Sequence, residues 1–211
     1  NFCPAFFRIV FDHQSQSTAF AQGLVELQDA SSQAMIAALP LTAGMRVLDL
    51  CAGGGGKALG IAARDGVEVY VHDIDPKRMQ DIPERASRAG VHLRPLATKA
   101  LAAAAPFDLV LADVPCSGSG AWRRAPEGKW TLTENRLDEL NTLQAAILRQ
   151  AAGLTKPSGN VVYSTCSLFQ RENSDRVEGF CAENNEWKVK TSKQVSPLLE
   201  CDGFYFAILG N

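Results

Sequence analysis

No uninterrupted apolar run in this 211-residue chain approaches the roughly 18 residues that a membrane-spanning helix requires, which excludes an integral helical membrane protein. A secretory signal pattern and CxxC pairs are missing as well. The six cysteines (Cys3, Cys51, Cys116, Cys166, Cys181 and Cys201) lie far apart in a chain too large to need stapling. They read as reduced thiols of a soluble, cytosolic protein, expected to be monomeric and to hold no metal. An excess of basic charge is also lacking: 21 Lys and Arg against 23 Asp and Glu leave a net charge of -2, so no global field draws in nucleic acid. Any polyanion has to be held by a local patch or by another domain. Internal repeats and low-complexity tracts are absent, which excludes a repeat architecture.

What is present is ordinary globular composition, 46% hydrophobic and 21% charged, with room for one sizeable domain. The first residue is Asn, and an aromatic-rich stretch to Asp12 leads into a polar run from His13 to Thr18. The expectation is a lead-in over residues 1–22, the end of a truncated upstream region, followed by a single domain over 23–211.

From Met45 onward, short apolar runs alternate with longer amphipathic stretches, the signature of βαβ units and a mainly parallel sheet. Arg46–Leu50, Glu68–His72, Val91–Leu96, Phe107–Ala112, Val161–Ser164 and Phe204–Leu209 read as strands, with the turn Pro157-Ser158-Gly159 before the fifth. Helices are expected over Lys57–Arg64, over Lys77–Arg88 with a kink or shortening at Pro83, over Glu134–Gly153, and over Asn173–Glu183. In the longest of these, Leu137, Leu140, Leu143, Ile147, Leu148 and Leu154 recur near helical spacing as a core stripe.

The segment Cys51-Ala52-Gly53-Gly54-Gly55-Gly56-Lys57 places four glycines between a strand and a helix, where backbone comes close to a ligand and amide hydrogens point outward. It is no phosphate-binding P-loop, because Cys51 and Ala58 stand where that pattern needs Gly and Ser or Thr. Gly53, Gly55 and Ala58 do satisfy G-x-G-x-x-A, and Asp73 follows about 20 residues on at a strand end, where a carboxylate accepts from ribose hydroxyls. The loop therefore admits a nicotinamide dinucleotide as well as another adenosine cofactor.

Two thiols bear on that choice. Asp113-Val114-Pro115-Cys116-Ser117-Gly118 follows the fourth strand and Ser164-Thr165-Cys166-Ser167 the fifth, so both are aimed at the crevice outside the strands' carboxyl ends. An ordered set of segments then resembles the Sun (RsmB-like) family of bacterial RNA 5-methylcytosine methyltransferases: Val25–Gln33, the Cys-Ala-Gly loop, Asp113–Gly118, Arg124-Ala125-Pro126-Glu127-Gly128-Lys129-Trp130 and Tyr163–Ser167. The resemblance runs from about Gly23 to Leu209.

It implies an α/β, Rossmann-like class I methyltransferase fold with a mainly parallel seven-stranded sheet and helices on both faces, and a catalytic domain over residues 23–211. It implies S-adenosylmethionine as cofactor on Cys51 to Lys57, Asp73 and Asp113, and an RNA substrate, ribosomal before transfer RNA. It further implies that Cys166 adds as thiolate to carbon 6 of a cytosine, so that carbon 5 can take the methyl group, while Cys116 assists proton removal and enzyme release. Asp113 is expected at the base's amidine edge. Arg123, Arg124 and Lys129, with Trp122 and Trp130, are the local candidates for RNA contact.

The chain departs from the family at Gly53, Gly54 and Ala58, where a proline of the usual loop is replaced by glycine, and at Thr98 or Lys99, where the family has an adenine-contacting aspartate. Three rivals stay open on sequence: a nicotinamide oxidoreductase, which explains the loop and not the paired thiols; an amino-directed nucleic-acid methyltransferase; and a catalytically idle methyltransferase-like binding module.

Overall fold

The structure, a computed structural model, describes residues 17–64, 66–197 and 201–211. The aromatic-rich start, most of the 1–22 lead-in and Cys3 lie outside the described residues.

Seven strands form one sheet: β1 (Arg46–Asp49), β2 (Glu68–Val71), β3 (Leu93–Pro95), β4 (Phe107–Asp113), β5 (Thr155–Thr165), β6 (Lys188–Val195) and β7 (Phe204–Gly210). Their order is β3-β2-β1-β4-β5-β7-β6, with β1 to β5 parallel and β7 antiparallel to both of its neighbours. The helices are α1 (Thr18–Ala21), α2 (Ala30–Ala38), α3 (Gly56–Ala62), α4 (Ile82–Arg88), α5 (Leu101–Ala104), α6 (Glu127–Thr131), α7 (Glu134–Leu154) and α8 (Ser174–Glu183). No helix among the described residues is long and apolar enough to cross a membrane.

Central strands buried on both faces have to be apolar at nearly every position, and side chains alternate between faces. In β1, Val47 joins the core under α2, α3 and α4, and Leu48 joins the core under α5, α7 and α8. β7 divides the same way, Phe204, Phe206 and Ile208 on the first side and Tyr205, Ala207 and Leu209 on the second. Strand order reverses between β1 and β4, so their carboxyl ends and that of β5 open on one crevice. The expected α/β architecture is the one observed.

Several boundaries differ from expectation, each for a local reason. Pro83 does not kink one helix; a 3-10 turn over Pro76–Met79 ends first, and Pro83 sits in the opening turn of α4, where its missing N–H costs nothing. Pro157-Ser158-Gly159 lies inside β5 as an irregularity opposite Phe107 and Leu109, with Ser158 at φ 62°. In α7 the core stripe is partly polar: Leu143 is exposed and Ile147 half-buried, whereas Asn141 and Gln144 face inward. β6 carries no apolar run of the kind that marks the other strands in the sequence.

Candidate active site

The glycine loop turns directly off β1. Gly55 caps α3 at φ 78°, and a Cβ there would sit 2.9 Å from Cγ1 of Ile82, so that position admits only glycine. The Gly53 amide donates to Asp73 Oδ2 at 2.9 Å, and the Asp75 amide to Oδ1 at 3.0 Å. Arg78 reaches the same carboxylate at 3.1 Å. Asp73 therefore anchors the loop besides standing where a ribose would need an acceptor, and its side chain is almost wholly buried. Arg85 donates to the Gly54 carbonyl, and Arg85 and Arg88 both pair with Glu26, so the Val25–Gln33 segment braces the loop from outside.

At the end of β1, Asp49 is buried with Oδ1 lacking any hydrogen-bond partner. Burial, reinforced by the charge of Asp113, pushes its carboxyl up to about 7. Burial, followed by the nearby carboxylates, likewise drives the Cys51 thiol far up, so Cys51 stays protonated.

Beside the loop lies an open cleft of about 480 Å³ whose walls include Asp73, Met79, Leu96, Thr98 and Lys99. Ile74, 79% exposed, follows Asp73 directly. Nδ1 of buried His72 lies 2.8 Å from the Leu50 carbonyl, which can only accept, so Nδ1 carries the hydrogen. Nε2 lies 3.0 Å from the Thr98 hydroxyl. Thr98, at the position of departure, is thus left with an oxygen that can accept a further donor.

Across the crevice, the sulfurs of Cys116 and Cys166 are 3.4 Å apart, both as free thiols. The hydrogen bond from Cys116 holds the Cys166 thiol below its ordinary range, helped by the Lys57 ammonium and opposed by burial and the Asp113 charge. The same hydrogen bond, with burial, drives Cys116 well up. The pair is thus polarised, one thiol shifted down and its neighbour shifted up. Lys57 is no exposed first-turn lysine: its Nζ lies 2.7 Å from Asp113 Oδ2, while the Ser164 hydroxyl donates to Oδ1 at 2.8 Å. Burial alone would favour neutral Lys57, and the adjoining Asp113 carboxylate, with Asp49 and Cys166 adding to it, outweighs burial and holds the ammonium.

The expected RNA contacts lie farther out. Arg124 pairs with Asp202 at 2.7 Å and Arg123 approaches the same carboxylate at 4.0 Å, both with largely exposed side chains. Lys129 lies over the exposed ring of Trp130, whereas Trp122 packs edge-on against Phe169. Neither Asp49 nor buried Glu172 stands among the candidate residues read from sequence; Asp49 adjoins the glycine loop, and Glu172 carries no local signal.

The geometry can be set beside known proteins. Residues 36–207 match the family model described as 16S rRNA methyltransferase RsmB/F. The chain is 34% identical over 215 residues to ribosomal RNA small subunit methyltransferase B of Xanthomonas campestris pv. campestris, an alignment covering 92% of this chain and 49% of that protein. It is 35% identical over 204 residues to the like-named protein of Klebsiella pneumoniae subsp. pneumoniae, covering 90% of this chain and 47% of that one. Among solved structures, a methyltransferase homolog protein from Pyrococcus horikoshii superposes with a TM-score of 0.81 at 26% identity, over 94% of this chain and 72% of that one. The chain spans about half the length of the curated relatives it matches.

Proposed function

Since the chain belongs to the 16S rRNA methyltransferase RsmB/F family, we propose that residues 23–211 are a catalytic domain that methylates carbon 5 of a cytosine in RNA, ribosomal RNA first, through a covalent adduct with Cys166. The observation that carries this reading is the pair of sulfurs 3.4 Å apart at the ends of two parallel strands, one thiol lowered and one raised. A nicotinamide enzyme has no use for that pair, and an amino-directed methyltransferase needs no thiol.

S-adenosylmethionine is the cofactor this reading requires, and the residues present fit it. The evidence of fit is the buried, unpartnered acceptor on Asp49 together with the open cleft along Asp73, Met79, Leu96 and Thr98. Cys51, Ala52 and the loop Gly53 to Gly56, with Lys57, Asp73 and Asp113, would hold it; Thr98 would accept from the adenine amino group where the family has a carboxylate. When bound, the cofactor supplies an electrophilic methyl group.

The chain's own residues do the rest. Carbon 5 of cytosine is too poor a nucleophile unaided, and addition of the Cys166 thiolate to carbon 6 makes carbon 5 an enamine terminus. Lys57 helps to keep that thiolate ionised, and Asp113, oriented by Lys57 and Ser164, meets the amidine edge of the base. Once carbon 5 carries the methyl group, its proton passes to water with the help of Cys116, the freed electron pair re-forms the carbon 5–carbon 6 double bond, the carbon 6–sulfur bond breaks, and Cys166 leaves as a thiolate held by the Cys116 hydrogen bond. Arg123, Arg124 and Lys129 hold flanking phosphates, with Trp130 free to stack.

The test is denaturing electrophoresis of Cys116→Ala after incubation with 16S rRNA and S-adenosylmethionine. A covalent protein–RNA band is expected, absent in Cys116→Ala/Cys166→Ala. No band, despite measured binding of both RNA and cofactor, overturns the covalent mechanism.

A further inference from the structure

The most completely satisfied buried charge among the described residues belongs to a residue the mechanism above does not use. Glu172, fully buried, closes the 3-10 turn Gln170–Glu172 between β5 and α8. Its Oε1 accepts from the Ser117 amide and from Gln144 Nε2, each at 2.9 Å. Its Oε2 accepts from the hydroxyls of Ser117 and Ser167, each at 2.5 Å. Ser117 follows Cys116 in sequence and Ser167 follows Cys166. Gln144, a polar residue on the buried face of α7, also donates to the Pro115 carbonyl at 2.9 Å, one residue before Cys116.

We propose that Glu172 is the positioning residue of the thiol pair: one carboxylate binds the residue after each cysteine, and so sets the separation of two sulfurs carried by different strands.

Three physical points support it. Moving a carboxylate out of water is costly, and the cost is offset here only by donors that converge from the β4 loop, the β5 loop and α7. Charge-assisted bonds of this kind are short and directional, which is what holding two loops at fixed distance demands. The carboxylate also bears on the chemistry, because its charge is one of the influences that keep Cys116 protonated. A carboxylate serving only to fill space would need no such arrangement, since an apolar side chain of like volume fills it at lower cost.

The inference rests on the two-thiol reading, yet its test uses thiol chemistry on the free protein, so its failure is separable from failure of the methyltransferase assignment. In Ser117→Ala/Ser167→Ala the two hydroxyl tethers are cut while the carboxylate keeps the Ser117 amide and Gln144. Oxidised glutathione, taking two electrons from the thiol pair and leaving as two glutathione molecules, should cross-link Cys116 to Cys166, with the linkage identified by peptide mass spectrometry. The variant is expected to melt as a folded protein and to cross-link at least threefold more slowly than the parent chain. In Glu172→Gln, which keeps the shape and removes the charge, the pH profile of Cys116 alkylation by iodoacetamide, measured with Cys166→Ser present, is expected to move to lower pH. Cross-linking within threefold of the parent, or a Cys116 profile that does not move, overturns the proposal. Should Glu172→Gln fail to fold, the serine variant alone decides.

Discussion

A sulfur that gives up its proton in a mostly buried site needs a donor in place of water, and for Cys166 the principal donor is the thiol of Cys116. The Lys57 ammonium comes second, while burial and Asp113 act against it. This order makes a prediction that separates hydrogen bonding from bulk. Cys116→Ser keeps a donor and Cys116→Ala does not, so the pH profile of Cys166 alkylation should shift upward in the alanine variant and much less in the serine variant. Equal shifts, read by mass spectrometry of the Cys166 peptide, would sink the hydrogen-bond account. Asp49 is the opposite case, an acid with an unpartnered oxygen, its carboxyl pushed up to about 7 by burial and then by Asp113. Between its ordinary value of 3.8 and about 7, the folded carboxyl keeps a proton that the unfolded one has lost. Unfolding therefore releases a proton across that window, and stability falls as pH rises through it, by up to about 4 kcal/mol once the folded carboxyl has ionised. Asp49→Asn carries no charge to bury. It should melt above the parent chain at pH 8, with the difference closing towards pH 4, as followed by thermal denaturation across that range; a difference independent of pH would refute the linkage.

Elements that bury two faces were legible in the sequence because apolar runs with glycine or proline between them have few other uses in a chain of this size. β1, β2, β4 and β7 were found within a residue or two, and with them the positions of the loop, Asp73, Asp113 and Cys166. β6 was not, for it is an edge strand exposed at every residue but Val195, and its Lys, Thr, Ser and Gln content reads as loop. The stripe in α7 was misjudged at two positions because periodicity registers apolar spacing and cannot register a buried amide whose partner is remote: Gln144 faces inward to reach Glu172, and Leu143 is turned to solvent. The site divides along the same line. Residues carried by contiguous motifs were recoverable, whereas Glu172, with donors at 117, 144 and 167, depends on which loops the fold brings together. Gly120 belongs to this second group: its amide donates to the Cys166 carbonyl and its carbonyl accepts from Gly203, a backbone approach in which a Cβ would lie 2.0 Å from the Gly203 oxygen. No local pattern marks that contact.

At the scale of the whole molecule the question is how a chain of net charge -2 would hold the polyanion proposed as its substrate. Attraction to a single strand comes from the counterions its cations displace, and log K falls with log salt by about 0.7 for each phosphate neutralised. The cations of the proposed RNA path are Arg123, Arg124 and Lys129, and two of them already share Asp202. An arginine that keeps an internal carboxylate partner offers RNA less than a full charge, so fewer than three phosphates are countered and the slope should be shallower than about -2. Replacing all three residues by alanine should remove most of that slope and weaken binding most at low salt, because the loss is electrostatic and screened. Asp202→Asn should do the reverse, releasing both guanidinium groups and steepening the slope. Fluorescence anisotropy with a labelled single-stranded RNA, titrated from low to moderate salt, reads both variants directly. A triple variant with the parent slope would move the RNA path to another face, and an Asp202→Asn slope no steeper than the parent's would mean that the arginines already bind phosphate while held by their carboxylate.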